Sequence, residues 1–158
     1  MLKSVSSKLF LILACLSIGG CASAMVKVPN YIKADHPYQR KMYGDYGKIQ
    51  AAVRNVLVHN GWKLQETDPA IYERPQGSEL TNTGDILLFT NIKQHSMFIY
   101  SSYTHLNVFI HPVEEGAQVE IRYHKVTPLL IKSFQRTRND KLAEKLLRDI
   151  EQEILESN

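Results

Sequence analysis

Asn107-Val108-Phe109-Ile110-His111-Pro112-Val113-Glu114-Glu115-Gly116-Ala117-Gln118-Val119-Glu120-Ile121-Arg122-Tyr123-His124 reads as two alternating strands around a polar turn. Closing the turn at Glu115-Gly116 predicts that Pro112 pairs with Val119, Ile110 with Ile121 and Val108 with Tyr123, all on one face. The other face then sets His111 against Glu120, Phe109 against Arg122 and Asn107 against His124. One apolar and one mainly polar face from a single register is the signature of an antiparallel sheet that buries one side. Phe109 is the exception, and its ring is placed to cover the Arg122 guanidinium.

Such a sheet needs a covering layer, and the flanking sequence holds two amphipathic helices. Before the sheet, Asp45 is a plausible N-cap for a stripe of Tyr46, Ile49, Val53, Val56, Leu57 and Asn60. Asn60-Gly61 stops that helix, with Trp62 positioned to fold back on Leu57. After the sheet, Leu142, Leu146, Ile150 and Ile154 recur every four residues between Asp140 and Leu155, with Ala143 and Leu147 widening the stripe. Further strands are predicted at Trp62 to Thr67, Ala70 to Arg74, Ile86 to Ile92, Met97 to Tyr103, Leu106 to Pro112 and Gln118 to Thr127. The fold expected is α+β, a two-layer sandwich of one antiparallel sheet and an N-terminal and a C-terminal helix.

The composition agrees with one such domain. The chain has 158 residues, 44% hydrophobic and 22% charged, which excludes wholesale disorder and fibrous architectures. Its net charge is +3, but Lys3 and Lys8 fall in the leader described next, and no nucleic-acid footprint is visible.

Residues 1–20 read as a signal peptide: Lys3 and Lys8 without an acid, then the uncharged run Leu9 to Gly20, too short to span a bilayer by itself. Ile18-Gly19-Gly20-Cys21 resembles the bacterial lipobox, whose small residues admit the chain to a peptidase and whose thiol accepts diacylglycerol. Cys15 is a poorer match, since only six residues separate it from Lys8. The resemblance implies cleavage before Cys21 and acylation there with palmitate-type chains. It also implies a lipid-anchored protein of the cell envelope. Ala22 and Ser23, in place of an aspartate retention signal, imply the outer membrane, with the domain in the periplasm. The two cysteines would then be discarded and acylated, leaving no disulfide in the mature chain.

Residues 21–45 are expected to be the acylated cysteine and a tether, reaching roughly 80 Å if fully extended. Residues 46–158 are expected to form the single domain. Tyr31, Tyr38 and Tyr43 among Lys33, Arg40 and Lys41 suggest either a partner-docking strip or local packing on the domain's edge.

Helix, meander and terminal helix after a lipobox resemble the helix-grip domains of BamC-like outer-membrane lipoproteins. The likeness lies in Tyr46, Ile49, Ala52, Val53, Leu57 and Gly61-Trp62, followed by Asp68 and a short strand at Ile71. It implies a non-catalytic accessory module of outer-membrane assembly or maintenance, with an envelope protein as partner. The alternative is a periplasmic binder of lipid or another small hydrophobic ligand, in a cavity lined by Phe98, Tyr100, Val108, Ile110, Tyr123 and Leu146.

Chemistry-bearing patterns are sparse. No Gly-x-Ser-x-Gly, His-Glu-x-x-His, Cys-x-x-Cys or phosphate-loop motif occurs. His105 and His111 share a strand face but lie roughly 20 Å apart. His111 and His124 are offset by four positions in the register above, too far to share an ion. Ser101-Ser102 near His105 lack an orienting acid, and Glu114-Glu115 are most simply a polar turn. No catalytic residue, metal or cofactor is therefore expected.

Overall fold

A computed structural model of the chain describes residues 28–33, 36–67, 84–97, 100–129 and 132–157. The protein is α+β, with strands β1 (Tyr38–Tyr43), β2 (Leu64–Thr67), β3 (Ile86–Thr90), β4 (Lys93–Met97), β5 (Tyr100–Val113), β6 (Gly116–Pro128) and β7 (Ser133–Arg136). Helix α1 spans Tyr46–His59, and α2 spans Asp140–Glu156. Among the described residues seven strands join one antiparallel sheet in the order β1-β6-β5-β3-β2, with β4 also on β5 and β7 also on β6.

Both helices begin and end where their local chemistry dictates. The Asp45 carboxylate accepts from the Lys48 N–H at 3.0 Å and caps α1. At the other end, the Gly61 N–H donates to the Val58 carbonyl and the Trp62 N–H to the Leu57 carbonyl. That pair of bonds closes the helix through a left-handed residue, and Gly61 supplies it at φ +76°. The α2 N-cap is Asn139, whose side chain accepts from the Leu142 N–H. The helices run antiparallel, tied by Asn55 to Glu153 and by Lys145 to Asn60.

The apolar face of the hairpin meets these helices. Leu106, Val108 and Ile110 of β5 and Ala117, Val119, Ile121 and Tyr123 of β6 form one cluster with helical residues including Ile49, Val53, Leu57, Leu146, Leu147 and Ile150. Burial of this apolar area is the main stabilising contribution.

The hairpin's faces are as expected, but its register is shifted by two residues. The two-residue loop is Glu114-Glu115, so that Val108 faces Ile121, Phe109 faces Glu120 and His105 faces His124. A shift of two preserves which face each side chain takes. Phe109 lies in the sheet's opposite face and does cover Arg122, with the guanidinium carbon 4.1 Å from the ring centroid.

Other expectations change more. From Tyr100 onward the strands predicted at Met97 to Tyr103 and Leu106 to Pro112 are one continuous strand, β5, whereas Met97 ends β4. The predicted strand Ile86 to Ile92 ends at Thr90, after which β4 resumes along β5. The Thr90 hydroxyl fills the break by accepting from the Leu106 N–H at 2.8 Å. Part of the expected tether is β1, which pairs with β6. Arg40 secures it to α2 through ion pairs with Glu144 at 2.6 Å and Glu151 at 2.9 Å. The predicted strand at Ala70 to Arg74 lies outside the described residues.

Candidate functional site

The sheet's second face is not simply solvated. Residues 28–33 lie across it as a strap, and the polar side chains of β5 and β6 hold that strap in place. Asn107, fully buried, accepts from the Ile32 N–H at 2.6 Å and donates to the Asn30 carbonyl at 3.0 Å. The Asn107 amide thus grips the backbone on both sides of a bend at Asn30 and Tyr31. Arg122 donates to the Tyr31 hydroxyl at 2.8 Å and to the Ile32 carbonyl at 3.2 Å. Its Nε is 2.5 Å from a Glu120 oxygen, and Gln39 donates to the other carboxylate oxygen at 2.6 Å. Tyr31 meets Phe109 edge-on at 6.4 Å between centroids, and the Ile32 side chain is buried. The arrangement is a cradle for a bent stretch of backbone, and the chain's own residues 28–33 occupy it.

Beside the cradle, the imidazoles of His105 and His124 pack edge to face, 5.4 Å between centroids and 2% and 5% exposed. Among the described residues, both nitrogens of His105 and Nδ1 of His124 make no hydrogen bond of ordinary geometry, the Pro29 carbonyl being the nearest acceptor to act on His105. Burial pushes the His105 pKa down to about 4, reinforced by His124 and opposed by the Pro29 carbonyl. Burial also lowers the His124 pKa, opposed by the Gln135 side chain. Both rings are thus held neutral in the folded protein. Below about pH 6.5 the unfolded chain takes up protons that the folded chain refuses, so stability falls from there towards pH 4. His105 alone sets a ceiling of about 3 kcal/mol on that loss. Urea denaturation across this range is expected to show the decline, and His105→Leu to flatten most of it. An unchanged slope in that variant would contradict the assignment.

The residues expected to dock a partner divide among different environments. Tyr31 belongs to the strap, whereas the Tyr38 hydroxyl donates to Asp140 at 2.5 Å and closes β1 onto the start of α2. Tyr43 is exposed. Ile18, Gly19, Gly20 and Cys21 lie outside the described residues. Ser102 sits on the opposite face of β5 from His105, and Ser101, on the same face, is four residues and roughly 13 Å along the strand, so neither is in reach of the imidazole as a base. Of the residues proposed to line a cavity, Val108, Ile110, Tyr123 and Leu146 are buried in the packed core, and Phe98 lies outside the described residues.

Sequence reasoning did not single out Asp85, whose carboxylate is 3.2 Å from His111 Nδ1. His111 in turn stacks on Phe109 at 5.7 Å. A groove of about 200 Å³ between the helices is lined by Val56, His59, Asn60, Asp149, Gln152, Glu153 and Glu156 and is mainly polar. Among the described residues, no group of three or more His, Cys, Asp or Glu side chains could hold a metal ion. No described helix is long and apolar enough to cross a membrane.

No family model matches the chain, and no curated protein matches it.

Proposed function

We propose that this chain is a lipid-anchored envelope protein, acylated at Cys21, whose folded domain is a non-catalytic interaction module in outer-membrane assembly or maintenance. The observation that carries the reading is the strap. Only seven residue steps separate Cys21 from Val28, the first described residue of the strap. That interval reaches at most about 25 Å, against the roughly 80 Å of a free 24-residue tether. The cradle thus keeps an anchored domain close to its membrane, which suits a module that meets partners at the bilayer surface. The helix-grip reading, with α2 laid along the sheet as in BamC-like lipoproteins, is part of this proposal. The packed core disfavours the ligand-binding alternative.

Cys21→Ala tests the reading. Acyl chains contribute about 0.8 kcal/mol per buried CH₂, so loss of the thiol removes the anchor outright. Expressed in a bacterial host, the variant is expected to incorporate no labelled palmitate and to leave the detergent-soluble envelope fraction for the soluble one. An equal distribution of wild type and variant would sink the proposal.

A further inference from the structure

We infer that the end of the sheet formed by the β6–β7 hairpin is a second, direct contact with the surface of an anionic phospholipid bilayer. The helix-covered cluster ends at Leu106 in β5 and Tyr123 in β6. From Leu106 to Tyr100 the strand runs on for about 20 Å, carrying β4 and the β6–β7 hairpin with it. Loops and hairpin ends are ordinarily polar, yet here the chemistry is reversed. Leu129 is 47% and Phe134 is 54% exposed.

The charge around these apolar residues has one sign. Between Glu120 and Asp140 the chain has five bases, Arg122, Lys125, Lys132, Arg136 and Arg138, and no acid. Arg122 is used in the cradle and Arg138 pairs with Asp140. Among the described residues Lys125 and Lys132 have no ion-pair partner, and Arg136 lies near enough to Asp140 to help hold its carboxylate charged but forms no close ion pair with it. Lys125 and Arg136 also face each other across β6 and β7, a like-charge pairing that costs the sheet stability. Lys132 lies 5.8 Å from the Phe134 ring centroid, so cation and apolar group form one patch. Exposed apolar side chains rimmed by Lys and Arg match the boundary between acyl chains and anionic headgroups.

The strap supplies an independent orientation. Asn107 holds residues 30 and 32, and His105 faces the Pro29 carbonyl. The strap therefore runs, towards its N-terminus, in the direction of the same hairpin end. An anchor at Cys21, on which this orientation argument rests, would leave the domain at the end that carries the patch.

The test uses residues 21–158 with Cys21→Ala, which carry no acyl chain and retain every residue of the core described above. Vesicles of phosphatidylglycerol and phosphatidylethanolamine are compared with phosphatidylcholine vesicles by co-sedimentation. Binding to the anionic vesicles is expected, weakening as salt is raised. Lys132→Ser with Arg136→Ser should reduce partitioning by about fivefold per cation. Leu129→Ser with Phe134→Ser should reduce it by about tenfold or more. All these positions are exposed, and thermal melts confirm that each variant is folded. Equal partitioning of wild type and both variants, or no binding to anionic vesicles, overturns the inference. So does a stable dimer in which the patch is covered by a second copy. Failure of acylation at Cys21 would leave the vesicle result standing, and absence of vesicle binding would leave the acylation reading standing.

Discussion

Replacing Arg122 with methionine is expected to lower the unfolding free energy by about 3–5 kcal/mol. The side chain is nearly buried and contacts Glu120, Phe109, Tyr31 and the Ile32 carbonyl at once. Without it, the Glu120 carboxylate stays buried with Gln39 as its remaining hydrogen-bond donor among these contacts. The penalty comes mainly from that uncompensated charge and less from the lost attraction. Adding Glu120→Gln to Arg122→Met should therefore recover about half of the loss or more. Urea denaturation at neutral pH measures both variants. A cost below about 1 kcal/mol for Arg122→Met would show that Glu120 is better solvated than its 5% exposure implies. The strap should also loosen in the single variant, seen as faster amide exchange at Ile32.

Gly116→Ala is expected to cost about 3 kcal/mol or more, and to do so by displacing β1. A Cβ built at Gly116 would stand 2.0 Å from the Met42 carbonyl oxygen and 3.0 Å from its carbon. Those are backbone atoms of a paired strand, so no rotamer change relieves the contact. Residue 116 also sits at φ +155°, which an L side chain resists. The expected result is a lower urea midpoint with loss of amide protection in Gln39 to Tyr43, while helix content by circular dichroism is largely kept. A variant as stable as wild type would mean that β1 does not pair where it is placed here.

That glycine also explains why the register was only half legible. Considered as a hairpin alone, Glu115-Gly116 is the obvious turn, because glycine is the usual residue for a positive φ. The turn is instead Glu114-Glu115, with Glu115 itself at φ 66°. Gly116 is required by a third strand, β1, whose sequence Tyr38 to Tyr43 is rich in charge and carries no clean alternation. The two-residue shift left the inward faces correct, since side-chain direction repeats every two residues. It did, however, hide the cross-strand neighbours, so that His124 was paired with Asn107 and its contact with His105 went unseen.

The helices were readable because their signals are local: an Asp cap, a Gly61-Trp62 stop and a four-residue apolar repeat in α2. The cradle was not, because each of its parts belongs to a distant segment. Asn107 on a strand looks like an ordinary polar residue, and Tyr31-Ile32 looks like part of a tether. Only the fold, which brings positions 75 residues apart into a 2.6 Å hydrogen bond, gives either a role.

The central claim, that this is a lipid-anchored domain whose strap begins a few residues after its anchor, is tested most directly by mass spectrometry of the N-terminal peptide. The protein is extracted from envelopes of the expressing bacterium with detergent and digested. A peptide that begins at Cys21 and carries diacylglycerol on the thiol is the predicted result. A mature N-terminus elsewhere, or an unmodified Cys21 in membrane-bound protein, would contradict the account.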